Sequence, residues 1–415
     1  MMDERGAGTI VRMNVCVVGG GPAGLLLGTL LAKRGAEVIV LEGHPTFDRE
    51  FRGEVLQPST PRLLEQIGLL KYILEQPHLT LTAGQILVGG KTAAVFEFSK
   101  ISPEYPYAIW MPQPVFLEAL LKKATPFPGF SCWMGAHVNA LVEENGAVVG
   151  VRGLRHGKEA FEIRADVVVG ADGRHSTIRR LGGFATEYEN HDFDIVWFVV
   201  DPPAEWARTI YVAFGKVPLL MLPKYPNLIQ VGLQLRTGQW HDWRAEGVKA
   251  VAARLRAASP LFAGFADHLV DFTPFFPLPA IISLTRNWAR DGLLLIGDAA
   301  HTMSPAGAIG VNVALATAAV AAQEIYPRLG KGPIPASALA RVQELREPDI
   351  RTLHTLQRGA GRALLGTSSG NSMIRWVLPR VLPMMVRLGI VPRVMRRIFF
   401  GVPLPPLDPE FGFQA

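Results

Sequence analysis

The hydrophobic pattern opens on a short apolar run. Val15, Val17 and Val18 read as a buried β-strand, and Leu25–Ala32 continues as an apolar helix. Glu37–Leu41 makes a second strand. Behind Pro58 and Pro61, Leu63, Leu64, Ile67 and Leu70 line one helix face, with Ser59 or Thr60 as the cap. Thr80–Phe98 alternates between turns and predicts strands, and Phe116–Lys123 predicts a helix. His137–Glu143 and Ala147–Leu154 are strand-like and joined by Glu144-Asn145-Gly146, a hairpin signal. Ala165–Gly170 is an apolar strand, and Ser176–Arg180 opens a helix. Phe193–Asp201, Thr209–Phe214, Val217–Leu222 and Leu228–Leu235 are four β-rich runs that predict an antiparallel sheet. Trp240–Ala257 is helical with a break at Gly247. Phe272–Leu284 is apolar but broken by prolines, and Gly292–Ile296 is a further buried strand before a helix from about Val311 to Tyr326.

Three strands end in glycine-rich turns, and these carry the candidate chemistry. The first strand passes through Gly19-x-Gly21-x-x-Gly24 straight into a helix, with Pro22 and Ala23 inside the turn. That order is the dinucleotide-binding fingerprint. Gly19 permits the tight turn, Gly21 lets backbone approach a pyrophosphate, and Gly24 lets helix and strand pack closely. The helix N-terminus offers free N–H groups to the phosphates. Glu42 ends the second strand, eighteen residues past Gly24, where a carboxylate suits a ribose 2′-hydroxyl. The second turn is Gly170-Ala171-Asp172-Gly173, in which Asp172 taken alone reads as a turn or cap residue. The third is Gly297-Asp298-Ala299-Ala300-His301, followed by Pro305, Gly307, Ala308, Gly310, Val311 and Asn312 at a helix start. Asp298 can accept from a ribitol hydroxyl, and the glycine turn aims N–H groups at an electron-rich ring edge. His301 reads as a packing residue.

Composition bounds the class. The chain has 415 residues, 49% hydrophobic and 19% charged, which suits two or three globular domains. Its two cysteines, Cys16 and Cys132, make no disulfide framework and point to a reducing cytoplasm. Met1–Arg12 has charges and no apolar core, so no secretory signal is expected. Nine arginines and no acid or lysine lie between Ile350 and Leu407. That segment carries +9 of a net +6, leaving 6 − 9 = −3 for the remainder, so the main body has no basic footprint for nucleic acid. No metal-ligand cluster, Ser–His–Asp set or paired acid is evident, and no catalytic side chain is assigned.

With their order and spacing, the three turns identify a resemblance. The sequence resembles the class A flavoprotein monooxygenases, the p-hydroxybenzoate hydroxylase-like family. GGGPAG at Gly19–Gly24 matches its first nucleotide motif. GADG at Gly170–Gly173, with Ser176 and Arg179 in register, is similar to its DG motif, and GDAAH at Gly297–His301 to its GD motif. The resemblance implies an α/β fold: a Rossmann-like FAD-binding domain of that type, an inserted antiparallel-sheet substrate domain, and a helical C-terminal region. The expected division gives FAD-binding parts at 1–75, 104–187 and 285–350, substrate-domain parts at 76–103 and 188–284, and the helical basic region at 351–415. It implies bound FAD, with Glu42 on the adenosine ribose, Arg52 and Gln113 near the pyrophosphate and ribitol, and Val138 touching adenine through its backbone. Asp298 would hold the ribitol region, Gly310–Asn312 the pyrimidine edge, and Asp172 would serve both FAD and NAD(P)H. NAD(P)H is the implied co-substrate and binds without a second GxGxxG. O₂ then adds at the flavin C4a, and the hydroperoxide oxygenates an aromatic, polycyclic or isoprenoid small molecule. A halogenase, an isoprenoid reductase and a non-catalytic FAD scaffold are the alternatives; Trp197 in IVWFVV lacks the halogenase WxWxIP pattern. The chain departs from the family at Ala308, where a glycine is usual, and at Thr317, where an aspartate is common.

Two expectations concern packing. Phe275, Pro277 and Pro305 are expected to wall a substrate cavity beside the sheet of Phe193–Leu235, with core packing as the alternative for Phe275 and Phe276. The tail Ser368–Phe400 carries Ile374, Val377, Leu378, Val381, Leu382 and Met385 at helical spacing, and Pro379 and Pro383 predict kinked or broken pieces. It either packs over the two domains or lies on an anionic membrane with Trp376, Leu388 and Phe399 inserted, a peripheral contact for a cytoplasmic protein.

Overall fold

The computed structural model describes residues 9–48, 54–88, 90–204, 206–214, 217–305, 307–368, 372–400, 404 and 406–413. The first sheet has eight strands. Its path runs β17 (Ala289–Arg290), β18 (Leu293–Leu295), β11 (Glu159–Gly170), β1 (Thr9–Val18), β2 (Val38–Glu42) and β8 (Phe130–Met134). The hairpin β9 (Ala136–Glu144) and β10 (Ala147–Arg155) extends β11. From β18 to β8 the pairings are parallel, and where β1, β2, β11 and β18 pair with one another they are continuous buried runs, Val15–Val18 in β1 and Val167–Gly170 in β11. Helix α1 (Pro22–Lys33) packs between α5 (Gln113–Ala124) and α10 (Gly310–Ile325). The hairpin turn has Asn145 at φ 50 and Gly146 at φ 84, the pair of left-handed residues that a type I′ turn requires.

The second eight-stranded sheet runs β19 (His301–Thr302), β16 (Phe276–Thr285), β12 (Thr186–Val200), β15 (Leu228–Arg236), β14 (Leu219–Lys224), β13 (Ile210–Phe214), β5 (Ala83–Val88) and β6 (Lys91–Glu97). Alternate residues bury against different partners. Val196, Phe198, Val231 and Leu233 form a second core with α7 (Gln239–Ala245), α8 (Val248–Ala258) and α9 (Ala263–Asp267). Ile195, Trp197, Ile210 and Leu222 face the other way and join the core of the first sheet. A small third sheet, β3 (Val55–Leu56), β7 (Ala108–Trp110) and β4 (Leu79–Leu81), sits with α2 (Ser59–Gln66) and α3 (Leu70–Leu74). Of the strands expected in 76–103, only β5 and β6 join this sheet, β5 through a parallel pairing with β13 that makes the sheet mixed rather than purely antiparallel; β4 pairs with β7 instead. Two short helices, α4 (Phe98–Ile101) and α6 (Thr177–Leu181), complete the body.

The C-terminal region is helical, with corrections to its expected breaks. Helix α11 (Ala336–Ser368) runs unbroken across 350/351. Helix α12 (Ser372–Arg387) continues through both Pro379 and Pro383, with its flank on β6 and β5 to support it. The interruption comes at Gly389, φ 71, a left-handed residue that stops one helix before α13 (Ile390–Phe400) begins. Phe399 is buried with its ring 5.7 Å from that of Phe98, so it is core and unavailable for membrane insertion. The Trp376 side chain lies outside the described residues, and Leu388 is exposed. Among the described residues no helix is long and apolar enough to cross a membrane. Beyond α13 the chain returns to α1. Arg34 pairs with Asp408 at 2.7 Å and with Glu410, and stacks its guanidinium on Phe411 at 4.9 Å. The Phe413 N–H donates to Ile67 O at 2.8 Å.

Candidate functional site

The three glycine turns converge at the C-terminal ends of β1, β11 and β18, adjacent strands of the first sheet. Gly19 has φ 110, and a Cβ there would lie 2.4 Å from Ala171 O. A Cβ on Gly24 would lie 1.9 Å from Gly19 O. Both glycines are demanded by close backbone contact. Gly21 differs: it has φ −77, which any residue adopts, and a Cβ there would meet nothing within 4 Å. The space beside Gly21 is open, and the first-turn N–H groups of Ala23 and Gly24 have no intrahelical acceptor. Pro22 stands at the first helical position, where a missing N–H costs nothing.

Glu42 is buried at the end of β2. One carboxylate oxygen accepts from Gly20 N at 2.9 Å and the other from His44 N at 2.8 Å. These bonds fix the carboxylate across the turn. Asp172 is likewise committed to backbone. It accepts from Ile178 N at 3.1 Å and from the Ser176 hydroxyl, so it organises the start of α6, and burial raises its pKa.

Arg179 links the second and third turns. Its buried guanidinium donates to Ala299 O at 2.9 Å, Arg174 O at 2.6 Å and the Tyr188 hydroxyl at 3.0 Å. Arg174 lies 3.8 Å from the Asp298 carboxylate. The sequence marks Arg179 only by its register with the Asp172 turn; its reach to Ala299 is tertiary.

At the third turn Gly297 has φ 58, Gly307 φ 83 and Ala308 φ 50. Pro305 is half-buried here and accepts from Ala308 N at 3.1 Å. Asn312 uses its amide within the protein: Oδ1 accepts from Gln57 N at 2.7 Å and the Thr60 hydroxyl at 2.6 Å, and Nδ2 donates to Ala308 O at 3.1 Å. Gly310, Val311 and Asn312 are the first turn of α10, so their N–H groups point outward. Gln57, which the sequence reading did not single out, donates to Gly307 O at 2.9 Å, while its buried Oε1 has no partner among the described residues. His301 is buried, lies 3.2 Å from the Thr317 hydroxyl and stacks on Trp288 at 5.0 Å. Burial pushes its pKa down to about 3, with the charges of His354 and Arg346 adding to the effect, so it stays neutral.

The remaining expected residues scatter. Gln113 is buried at the first position of α5. Val138 is half-buried in β9 opposite Gly153. Arg52 lies outside the described residues. The expected pocket wall needs correcting. Phe275 belongs to the second core, its ring 4.9 Å from Trp240 and 5.4 Å from Phe198. Pro277 is exposed, opposite Val196 on the same outer side. Phe276 and Leu278 point to the inner face with Trp197 and Ile195. Adjacent strand residues face opposite ways, so one position decides which of the two cores a side chain enters.

An ion pair not expected from sequence links the second sheet to the small third sheet. Lys224 at the end of β14 lies 3.2 Å from Glu54, and its ammonium sits 4.8 Å from the Trp110 ring centroid. Glu54 is largely buried, which raises its pKa, against the opposing pull of Lys224. A separate cavity of about 50 Å³ lies between α2, α10, α11 and α13. No group of His, Cys, Asp and Glu that could hold a metal occurs among the described residues.

The arrangement fits FAD. Gly21 leaves an open cradle beside free helix N–H groups, Glu42 is fixed at the strand end, and the Gln57 Oε1 orphan adjoins the α10 turn. Residues 12–332 match the family described as FAD binding domain. The chain is 35% identical over 390 residues, 94% of its length and 92% of the relative's, to 6-methylpretetramide 4-monooxygenase of Streptomyces rimosus. Its fold is similar to that of p-nitrophenol 4-monooxygenase PnpA of Pseudomonas putida, with a TM-score of 0.76, 20% identity and coverage of 94% and 97%. The flavin-dependent brominase Bmp2 shares the fold at a TM-score of 0.73 and 16% identity, covering 95% and 96%. On the family match and the end-to-end identity, the chain belongs to the class A flavoprotein monooxygenases and is an FAD-dependent monooxygenase of the hydroxylase type.

Proposed function

We propose that this monooxygenase hydroxylates the aromatic ring of a polycyclic small molecule, with NADPH or NADH reducing the FAD and O₂ supplying the oxygen. The observation that carries the reading is the relation to 6-methylpretetramide 4-monooxygenase, which spans nearly both chains at 35% identity. The inner face of the second sheet supports it, because Trp197, Phe276 and Leu278 offer an apolar, aromatic surface directed at the FAD-binding body. FAD, when bound, supplies the activation of O₂. The protein's residues bind, orient and exclude water. Glu42, Asp298 and the two helix N-termini hold the cofactor, and the inner sheet face presents the substrate ring. His301 takes no proton at neutral pH, consistent with its role in packing.

The test is NAD(P)H oxidation by the purified yellow protein, with and without polycyclic phenols, under isotopically labelled O₂. Substrate-stimulated oxidation and a product carrying one labelled oxygen atom support the reading. Oxidation indifferent to every phenol, or a product formed only with chloride or bromide and bearing that halogen, rules it out.

A further inference from the structure

The inner face of the second sheet carries two buried amides that the protein itself leaves incompletely paired. Gln230 and Gln234 lie on β15, 6% and 8% exposed. Gln230 Oε1 and Gln234 Nε2 have no hydrogen-bond partner among the described residues. Their side of the strand follows from register. Gln230 is opposite Leu222 and Gln234 opposite Ile195, both in the core shared with the FAD-binding body, whereas Ile229, Val231, Leu233 and Leu235 enter the second core. The two glutamines are four residues apart on one face, so their Cα atoms are about 13 Å apart. Gly232 lies midway between them, and a Cβ there would come 2.9 Å from the Trp197 ring. An aromatic surface therefore separates two amides along one line. Lys224, a cation on this face, is matched by Glu54 at 3.2 Å.

A buried amide atom without a partner is costly, and leucine would fill the same space without that cost. Such atoms in a folded protein call for a ligand or ordered water to complete them. We propose that Gln230 and Gln234 orient the substrate by hydrogen-bonding neutral oxygen functions, hydroxyl or carbonyl, near the two ends of a flat fused-ring molecule that spans Trp197. This deepens the hydroxylase reading and rests on it. A primary amide can donate or accept, so it selects for oxygen functions without selecting for charge. With Lys224 already paired, the face favours an uncharged phenol or quinone over a carboxylate.

The probes are the hydroxyanthraquinone emodin and emodic acid, in which a carboxylate replaces the emodin methyl group. Binding to the FAD-loaded protein is read from perturbation of the flavin absorbance. Emodin should bind wild type at least about tenfold more tightly than emodic acid. Gln230→Leu and Gln234→Leu should each weaken emodin about tenfold, the loss expected for one buried hydrogen bond. Their melting temperatures without ligand should equal or exceed that of wild type, because neither substitution breaks a bond to protein at the orphan atom. A purely structural glutamine gives the opposite, a lower melting temperature with unchanged emodin affinity. If a leucine variant does not fold, Gln230→Met and Gln234→Met carry the same test. The proposal is overturned if the folded variants bind emodin as wild type does, if they melt lower, if emodic acid is preferred, or if emodin leaves the wild-type flavin spectrum unchanged. Emodin binding that depends on both glutamines, with NADPH oxidised but no oxygenated product, supports the amide row and removes the hydroxylase reading alone.

Discussion

The guanidinium of Arg179 donates to the carbonyl oxygen of Ala299 at 2.9 Å, joining two turns 120 residues apart in the chain. The same side chain holds Arg174 O at 2.6 Å. One buried cation thus ties together the backbone that flanks Asp172 and Asp298. Arg179→Ala should leave several carbonyls unpaired and cost about 2–4 kcal/mol. Urea denaturation checks the stability, and the flavin-to-protein absorbance ratio of the purified variant should fall with it. Lysine, a single ammonium, should recover only part of both losses.

The glycines of the first turn should separate folding from cofactor binding. Gly21→Ala has open space and an ordinary φ, so the variant should fold with a melting temperature close to that of the wild-type protein stripped of FAD. It should bind FAD more weakly, because the added methyl occupies the cradle. Gly19→Ala places a methyl 2.4 Å from Ala171 O at φ 110, and should fail to yield folded protein at all. Circular dichroism melts and FAD titration distinguish the two outcomes.

Ala308 holds φ 50, a conformation that disfavours L side chains by about 1–2 kcal/mol. Glycine relieves that strain and gives back about 0.5–1 kcal/mol in unfolded-state entropy. Ala308→Gly should therefore stabilise the protein by up to about 1 kcal/mol. Its denaturation midpoint should rise while FAD content is unchanged.

His301 should steepen the acid limb of the stability curve. Its native pKa is held at about 3, below the unfolded value of about 6.5. The native state keeps the imidazole neutral while the unfolded state protonates it, so the contribution is full above about pH 6.5 and is lost as pH falls toward 3. In that window the slope is about 1.4 kcal/mol per pH unit. His301→Phe should flatten the limb by about one proton's worth. Thr317 remains paired with Val313 O at 2.9 Å, so the hydroxyl it faces is not orphaned. Denaturation midpoints of both proteins across this range give the difference directly.

What the sequence displayed most clearly was what glycine alone can do. Gly19 and Gly24 are fixed by contacts under 3 Å, and the strand-turn-helix order around them is local. The hairpin at Asn145-Gly146 was legible for the same reason. Alternation around Phe275 was not, because prolines at 277 and 279 obscured a strand whose register turns Phe276 inward, while Phe275, just before it, packs in the second core. In the tail, Pro379 and Pro383 predicted kinked or broken pieces; the pieces are there, but β5 and β6 support α12 past both prolines and the interruption falls at Gly389. Gln57, Lys224 and the Arg179 bridge left no signal, since each acts on a partner more than a hundred residues away.

The return of the chain to α1 has a consequence for biosynthesis. The helix beside the nucleotide cradle is secured at its far end by Asp408, Glu410 and Phe411, through contacts that close a loop of 374 residues at Arg34 and 377 at Lys33. β1 needs β11, and β11 needs β18, before the first sheet has its neighbours. A nascent chain that has exposed only its first hundred residues therefore holds the fingerprint turn without the strands that shape it. The cradle takes shape only once β11 and β18 have joined β1, and long-range closure of this kind is slow. The apolar β1–α1 unit is therefore exposed to aggregation until β11 and β18 reach it.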